Sequence, residues 1–128
     1  RYPEKIIGTI AFNPAFAGPK KEWQKKYPEW GAFREDSVNK FNKADTINSI
    51  VFAHKDDIFE DPKTLSFFEN FKDLNLIDYS ELKPTRCTWA DGNKKMQSNK
   101  GHNIPQSKCF TKYLEDRNYL ISFLENIL

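Results

Sequence analysis

No stretch of this chain approaches the roughly 18 consecutive apolar residues that a membrane-spanning helix needs, so no membrane span is expected. Neither sign of charge dominates: 20 Lys and Arg stand against 18 Asp and Glu. Electrostatics therefore gives no reason to expect nucleic acid or an anionic membrane surface as a partner. A CxxC pair and a Cys/His cluster are both missing, which argues against a structural zinc site. Internal repeats and low-complexity tracts are missing too. The first residue is Arg1 rather than Met, and "RYPEKIIGTIAF" lacks the apolar core and small-residue cleavage site of a signal peptide.

What is present is aromatic. The 128 residues, the size of one domain, include 11 Phe, 5 Tyr and 3 Trp, ample material for a core. "KIIGTIAF" (5–12) is short, apolar and β-rich, the pattern of a strand buried on both faces of a parallel sheet. "NPAFAGP" follows as a loop. In "KKEWQKKYPEW", Trp23, Tyr27 and Trp30 share one helical face, with Pro28 set to end or kink the helix. That face reads either as the packed side of an amphipathic surface helix or as an aromatic wall lining a substrate site. "EDSVNKFNKAD" is a weak helix with Val38 and Phe41 on one side, and "INSIVFA" is a second strand.

"DPKTLSFFENFKDL" opens with Asp61 as N-cap and Pro62 at the first helical position, with Leu65, Phe68 and Phe71 on its buried face. "NLIDYSEL" alternates as a third, half-buried strand. Residues 81–105 are irregular, with "TRCTW" as a short strand candidate. A connection this long is functional or disordered more often than idle. From Ser107, a good N-cap, Phe110, Leu114, Ile121, Leu124 and Leu128 recur at helical steps, which predicts one closing helix. The alternation of strands and helices implies an α/β fold around about three parallel strands.

Ligands of open α/β sheets bind beyond the carboxyl ends of the strands. The second strand ends there in His54, Lys55, Asp56 and Asp57, and the long loop returns His102 to the same edge. A carboxylate beside a histidine fixes its tautomer and stabilises the imidazolium, leaving the other ring nitrogen as a general base. A metal held by His54, Asp56, Asp57 and His102 is a competing chemistry for the same residue types. The lysine-rich "DGNKKMQSNKGH" has no arginine and only Trp89 nearby for stacking, and reads as a solvated loop.

The order of these segments resembles the C-terminal half of the α/β-hydrolase superfamily, nearest in flavour to its dienelactone-hydrolase-like and carboxylesterase-like members. "GTIAFNPAF" resembles the strand after the nucleophile helix, "IVFAHKDDIFEDPKTLSFFENF" the acid segment, and "NKGHNI" the Gly-His segment. The resemblance implies a serine hydrolase acting on an ester or related acyl bond, with no cofactor. In it Asp56 takes the position of the triad acid, since Asp57-Ile58-Phe59 then matches the family's Pro-Ile-Val, with Asp57 as the alternative. His102 takes the catalytic histidine position, His54 lines the site, and Ala53 stands where the family often has Gly.

Residues 1–128 then form the C-terminal portion of one hydrolase domain, with 13–48 as a variable, cap-like helical insertion. No Gly-x-Ser-x-Gly nucleophile elbow occurs in the chain. The expected partner is accordingly an N-terminal half of the same hydrolase carrying the serine, with a small acyl or ester compound as substrate. Without that half the first strand would present an apolar edge. The competing class is a non-catalytic interaction module of the same shape. Within this frame Cys87 and Cys109 fall at one edge, so a disulfide joins two free thiols as a reasonable state. A bridge would point to an exported protein.

Overall fold

The structure is a computed structural model and describes residues 6–15, 20–42, 48–71 and 73–128. Three parallel strands form its sheet: β1 (Thr9–Phe12), β2 (Ser49–Ala53) and β3 (Leu74–Asp78), in the spatial order β1-β2-β3. The register sets Thr9 beside Ser49 and Phe12 beside Phe52, and Ser49 beside Leu74 and Ala53 beside Asp78. Around the sheet stand α1 (Lys21–Lys26), α2 (Trp30–Asn42), α3 (Lys108–Arg117) and α4 (Tyr119–Ile127). The expected α/β class with three parallel strands is what the chain forms.

β2 is the central strand, and its side chains alternate between two cores as a pleated strand requires. Ile50 and Phe52 pack with Tyr79, Cys87, Met96, Ile104, Phe110 and Tyr113 on one face. Val51 and Ala53 pack with Leu65, Phe68 and Phe71 on the other. β1 departs from expectation. It was to be buried on both faces, but Thr9, Ile10 and Phe12 are exposed: among the described residues β1 is an edge strand paired only with β2, and its faces are less covered than those of the central strand.

The segment after β2 caps as its sequence predicts but does not build the predicted helix. Asp61 Oδ1 accepts from the Thr64 amide at 2.9 Å, and Thr64 Oγ1 accepts in return from the Asp61 amide at 2.9 Å. Turns then lead into a 3-10 segment, Ser66–Asn70. Phe67, Phe68 and Phe71 pack against one another there, with ring centroids 4.3 to 6.4 Å apart.

The closing helix begins at Ser107 as expected, with the Ser107 hydroxyl accepting from the Phe110 amide at 3.2 Å. It breaks at Asn118, whose φ of 54° lies in the left-handed region that Asn tolerates better than most residues. The break turns one helix into α3 and α4. Pro28 separates α1 from α2 as predicted. The "TRCTW" segment forms single antiparallel bridges, Thr88 with Lys95 and Trp89 with Ser107. The Phe41 side chain and the loop residues 16–19 lie outside the described residues.

Candidate functional site

At the carboxyl end of β2 the chain makes a tight turn, closed by the Asp57 amide donating to the His54 carbonyl at 3.1 Å. His54 is fully buried. Its Nδ1 accepts from the Asp56 amide at 3.0 Å, and its Nε2 lies 2.6 Å from the Leu82 carbonyl. An amide can only donate and a carbonyl can only accept, so the ring hydrogen sits on Nε2. Both nitrogens are committed to backbone. His54, expected to line the site, instead ties the turn to the loop after β3.

The same turn decides which aspartate meets His102. Asp56, the expected partner, points outward: its side chain is 45% exposed and its nearest carboxylate oxygen is 4.0 Å from His54 Nδ1. Asp57 turns inward and is fully buried. Its Oδ2 lies 2.7 Å from His102 Nδ1, and its Oδ1 accepts from the Phe59 amide at 2.8 Å. The expected pairing through Asp56 is thus corrected to the alternative, Asp57. The reason is geometric: the Asp56 amide is drawn to His54 while the next residue closes the turn.

His102 lies on a 3-10 segment, Gly101–Gln106, at the end of the long loop. Gly101 is needed there for close approach. A Cβ on residue 101 would collide with the carbonyl group of Asp56 and sit 2.9 Å from its Cβ. The two segments that carry the acid and the histidine therefore touch backbone to backbone. With Asp57 accepting, the ring hydrogen of neutral His102 sits on Nδ1, and Nε2 keeps its lone pair. Among the described residues no group bonds Nε2, and the side chain is 34% exposed. The hydrogen bond to Asp57 raises the His102 pKa above its ordinary 6.5; partial burial opposes this, and the Asp57 charge adds to it.

An aromatic row leads away from this histidine. His102 meets the edge of Phe59 at 5.0 Å, Phe59 stacks on Trp23 at 5.0 Å, Trp23 on Trp30 at 6.1 Å, and Trp30 on Tyr27 at 4.5 Å. Trp23, Tyr27 and Trp30, expected on one helical face, fall instead in α1, at its C-cap and at the start of α2, and their rings are brought together by stacking and joined to His102 through Phe59. The Trp23 indole donates to the Ile58 carbonyl at 2.8 Å, and Lys20 Nζ to the Asp57 carbonyl at 2.8 Å, so α1 is docked on the turn that carries Asp57. Behind it the buried Glu60 carboxylate is paired with Arg34 and accepts from the Thr64 hydroxyl at 2.8 Å.

The long loop is fastened at its root by a Cys87–Cys109 disulfide, with the two Cα atoms 5.4 Å apart. His102 lies inside the loop it closes. Sequence reading missed Phe59, Lys20, Glu60 and Asn13. Asn13 follows β1 with a left-handed φ of 46°, and its side chain reaches the histidine segment. A strand that ends in Asn before Pro is the one local signal that could have drawn attention to it. Among the described residues no helix is long and apolar enough to cross a membrane, and no three His, Cys, Asp or Glu side chains are grouped to hold a metal ion. No family model, curated protein or solved structure matches the chain.

Proposed function

We propose that Asp57 and His102 are the acid and the histidine of a Ser-His-Asp triad in a hydrolase of esters or related acyl bonds. The observation that carries this reading is the pair itself: a buried carboxylate on Nδ1 of a partly exposed imidazole whose Nε2 has no protein partner among the described residues. In the proposed mechanism a serine Oγ attacks the carbonyl carbon of the substrate while His102 Nε2 takes its proton. The same nitrogen then gives that proton to the leaving group. Asp57 holds the tautomer and stabilises the imidazolium formed in between.

Because no hydroxyl bonds Nε2 among the described residues, the serine would come from a partner segment. The resemblance of the chain to the C-terminal half of an α/β-hydrolase supplies such a segment, the half that carries the nucleophile. The open flank of β1 supports the same reading. Ile6, Ile7, Ile10 and Phe12 are exposed along it, and an unpaired apolar edge invites a further strand. The aromatic row of Phe59, Trp23, Trp30 and Tyr27 gives the apolar part of a small acyl or ester substrate a surface that begins at His102.

A serine-reactive phosphonate probe on the full-length protein tests the reading. One labelled serine is expected, with labelling lost in His102→Ala. A protein that neither labels nor hydrolyses aryl or alkyl esters, although His102 titrates as a paired histidine, would overturn it.

A further inference from the structure

The residue that fixes where His102 stands comes from the other end of the chain. Asn13 is the first residue beyond β1 and is 4% exposed. Its amide donates to the Phe52 carbonyl at 2.9 Å, which carries the β1–β2 register one step past the strand. Its side-chain Nδ2 donates twice, to the Gly101 carbonyl at 3.2 Å and to the His102 carbonyl at 3.0 Å. Two carbonyls can be satisfied only by the NH2 end of the amide, so its orientation is fixed by its partners.

Two costs are carried at this position. Asn13 holds a φ of 46°, where glycine would be less strained, and its Oδ1 is buried with no hydrogen-bond partner among the described residues. The Asn13 amide also adjoins the buried Tyr79 phenol of the core, but a glycine would avoid both costs. What glycine cannot do is donate to the two carbonyls.

We propose that Asn13 is a positioning residue for His102, clamping the Gly101–His102 backbone to the carboxyl end of β1 so that the imidazole meets Asp57. The clamp and the close backbone contact act on the same short segment. Asn13 holds the segment by its carbonyls, and the Gly101–Asp56 contact sets how closely the segment approaches β2's turn. The titratable and charged groups around the pair are Asp57 itself, Lys20 on Asp57's own carbonyl, His54 and Asp56 in the same turn, and the Tyr79 phenol, whose burial and the Asp57 charge hold it protonated; of these only neutral Tyr79 also meets Asn13. Only the catalytic consequence rests on the hydrolase reading; the clamp itself does not.

The test is Asn13→Gly in the full-length protein, which keeps the left-handed backbone and removes the donor. His102 is followed by NMR titration without substrate. The midpoint is expected to fall from its raised value toward 6.5 as the Asp57 bond loosens. A midpoint unchanged in a folded Asn13→Gly protein would overturn the proposal, whatever the protein hydrolyses. If the protein is an esterase, kcat should fall about tenfold to a hundredfold with KM nearly constant, the signature of a displaced base. Should Asn13→Gly fail to fold, the wild-type protein decides. The Asn13 side-chain NH2 signals should resist exchange and shift with the same midpoint as His102, and rapid exchange with no such shift would refute the clamp.

Discussion

The two flanks of the sheet differ in what they leave unfinished. Beyond β2 and β3 three buried ionisable side chains have their partners supplied, His54 with Leu82 and Asp56, Asp57 with His102 and Phe59, Glu60 with Arg34 and Thr64, while the buried Tyr79 hydroxyl has none among the described residues. Along β1 and the residues before it apolar groups are left exposed, with Ile7 63% accessible and Phe12 still 42% accessible although its ring packs on Phe52 and Phe110. Burying carboxylates costs free energy unless they are bonded, and exposing isoleucines forgoes the hydrophobic gain. One flank therefore bears cost to build a charged constellation, while the other keeps back surface that a further strand could cover. The contrast teaches that the polar edge is held together by its own hydrogen bonds, independently of whether a further strand covers β1.

The sharpest way to break the comparison is at the pair. His102→Ala in the full-length protein should lower esterase turnover about 10⁴-fold, and Asp57→Asn by a similar factor. The asparagine can still accept from Phe59, but its NH2 would face Nδ1 and force the ring hydrogen onto Nε2, where it blocks the base. Asp56→Asn should change turnover by no more than about twofold, because that side chain is exposed and away from His102. Steady-state kinetics on the three variants separates the two aspartates.

Next comes the loop that carries the histidine. Replacing both Cys87 and Cys109 with Ser opens a covalent loop of sequence separation 22. It should cost about 3 kcal/mol of unfolding free energy, measured by urea denaturation. The β1 flank should barely respond.

The pH dependence has two signs. Esterase kcat/KM should rise with pH through a midpoint above 6.5, because the base must be neutral and Asp57 favours the charged form. The pair's contribution to stability runs the other way. It is fully present below the ordinary histidine value and is lost as pH rises through the raised folded value. The stability gap between wild type and Asp57→Asn, followed by thermal unfolding, should narrow as pH rises across this range.

The smallest effect lies on the other flank. Ile10→Lys should change unfolding free energy by less than about 0.5 kcal/mol. It should nonetheless suppress self-association of residues 1–128, followed by sedimentation, since a charged edge resists strand pairing. Undiminished association would remove the contrast between the flanks.

How far the sequence reveals this molecule depends on the scale of the feature. β-rich apolar runs gave the three strands, and Ser107 gave the start of α3, because period and capping are local signals. The break at Asn118 was within reach of the same reasoning, but the strong apolar periodicity on both sides outweighed one asparagine. Residues 61–71 have the cap of a helix and the packing of a turn. The packing of Leu65, Phe68 and Phe71 against Val51 and Ala53 of β2 is a tertiary fact that the local sequence does not show. At the site, His102 on its loop and the Asp56-Asp57 pair at the end of β2 were legible from their places at one edge, with Asp56 expected as the partner and Asp57 as the alternative. Which aspartate was not, since it depends on His54 capturing the Asp56 amide. Asn13 and Phe59 were not legible either, because their partners are reached only through the assembled sheet.

The hydrogen bonds at His102 also order events in time. Asn13 reaches back to it across 88 and 89 residues, and Asp57 across 45. Contacts between such distant segments form late, after the entropy of closing the intervening chain has been overcome. The imidazole cannot reach its final place until the first strand, the central turn and the last loop have all arrived. A raised His102 titration would thus serve as a chemical receipt for completed folding, readable from a single proton.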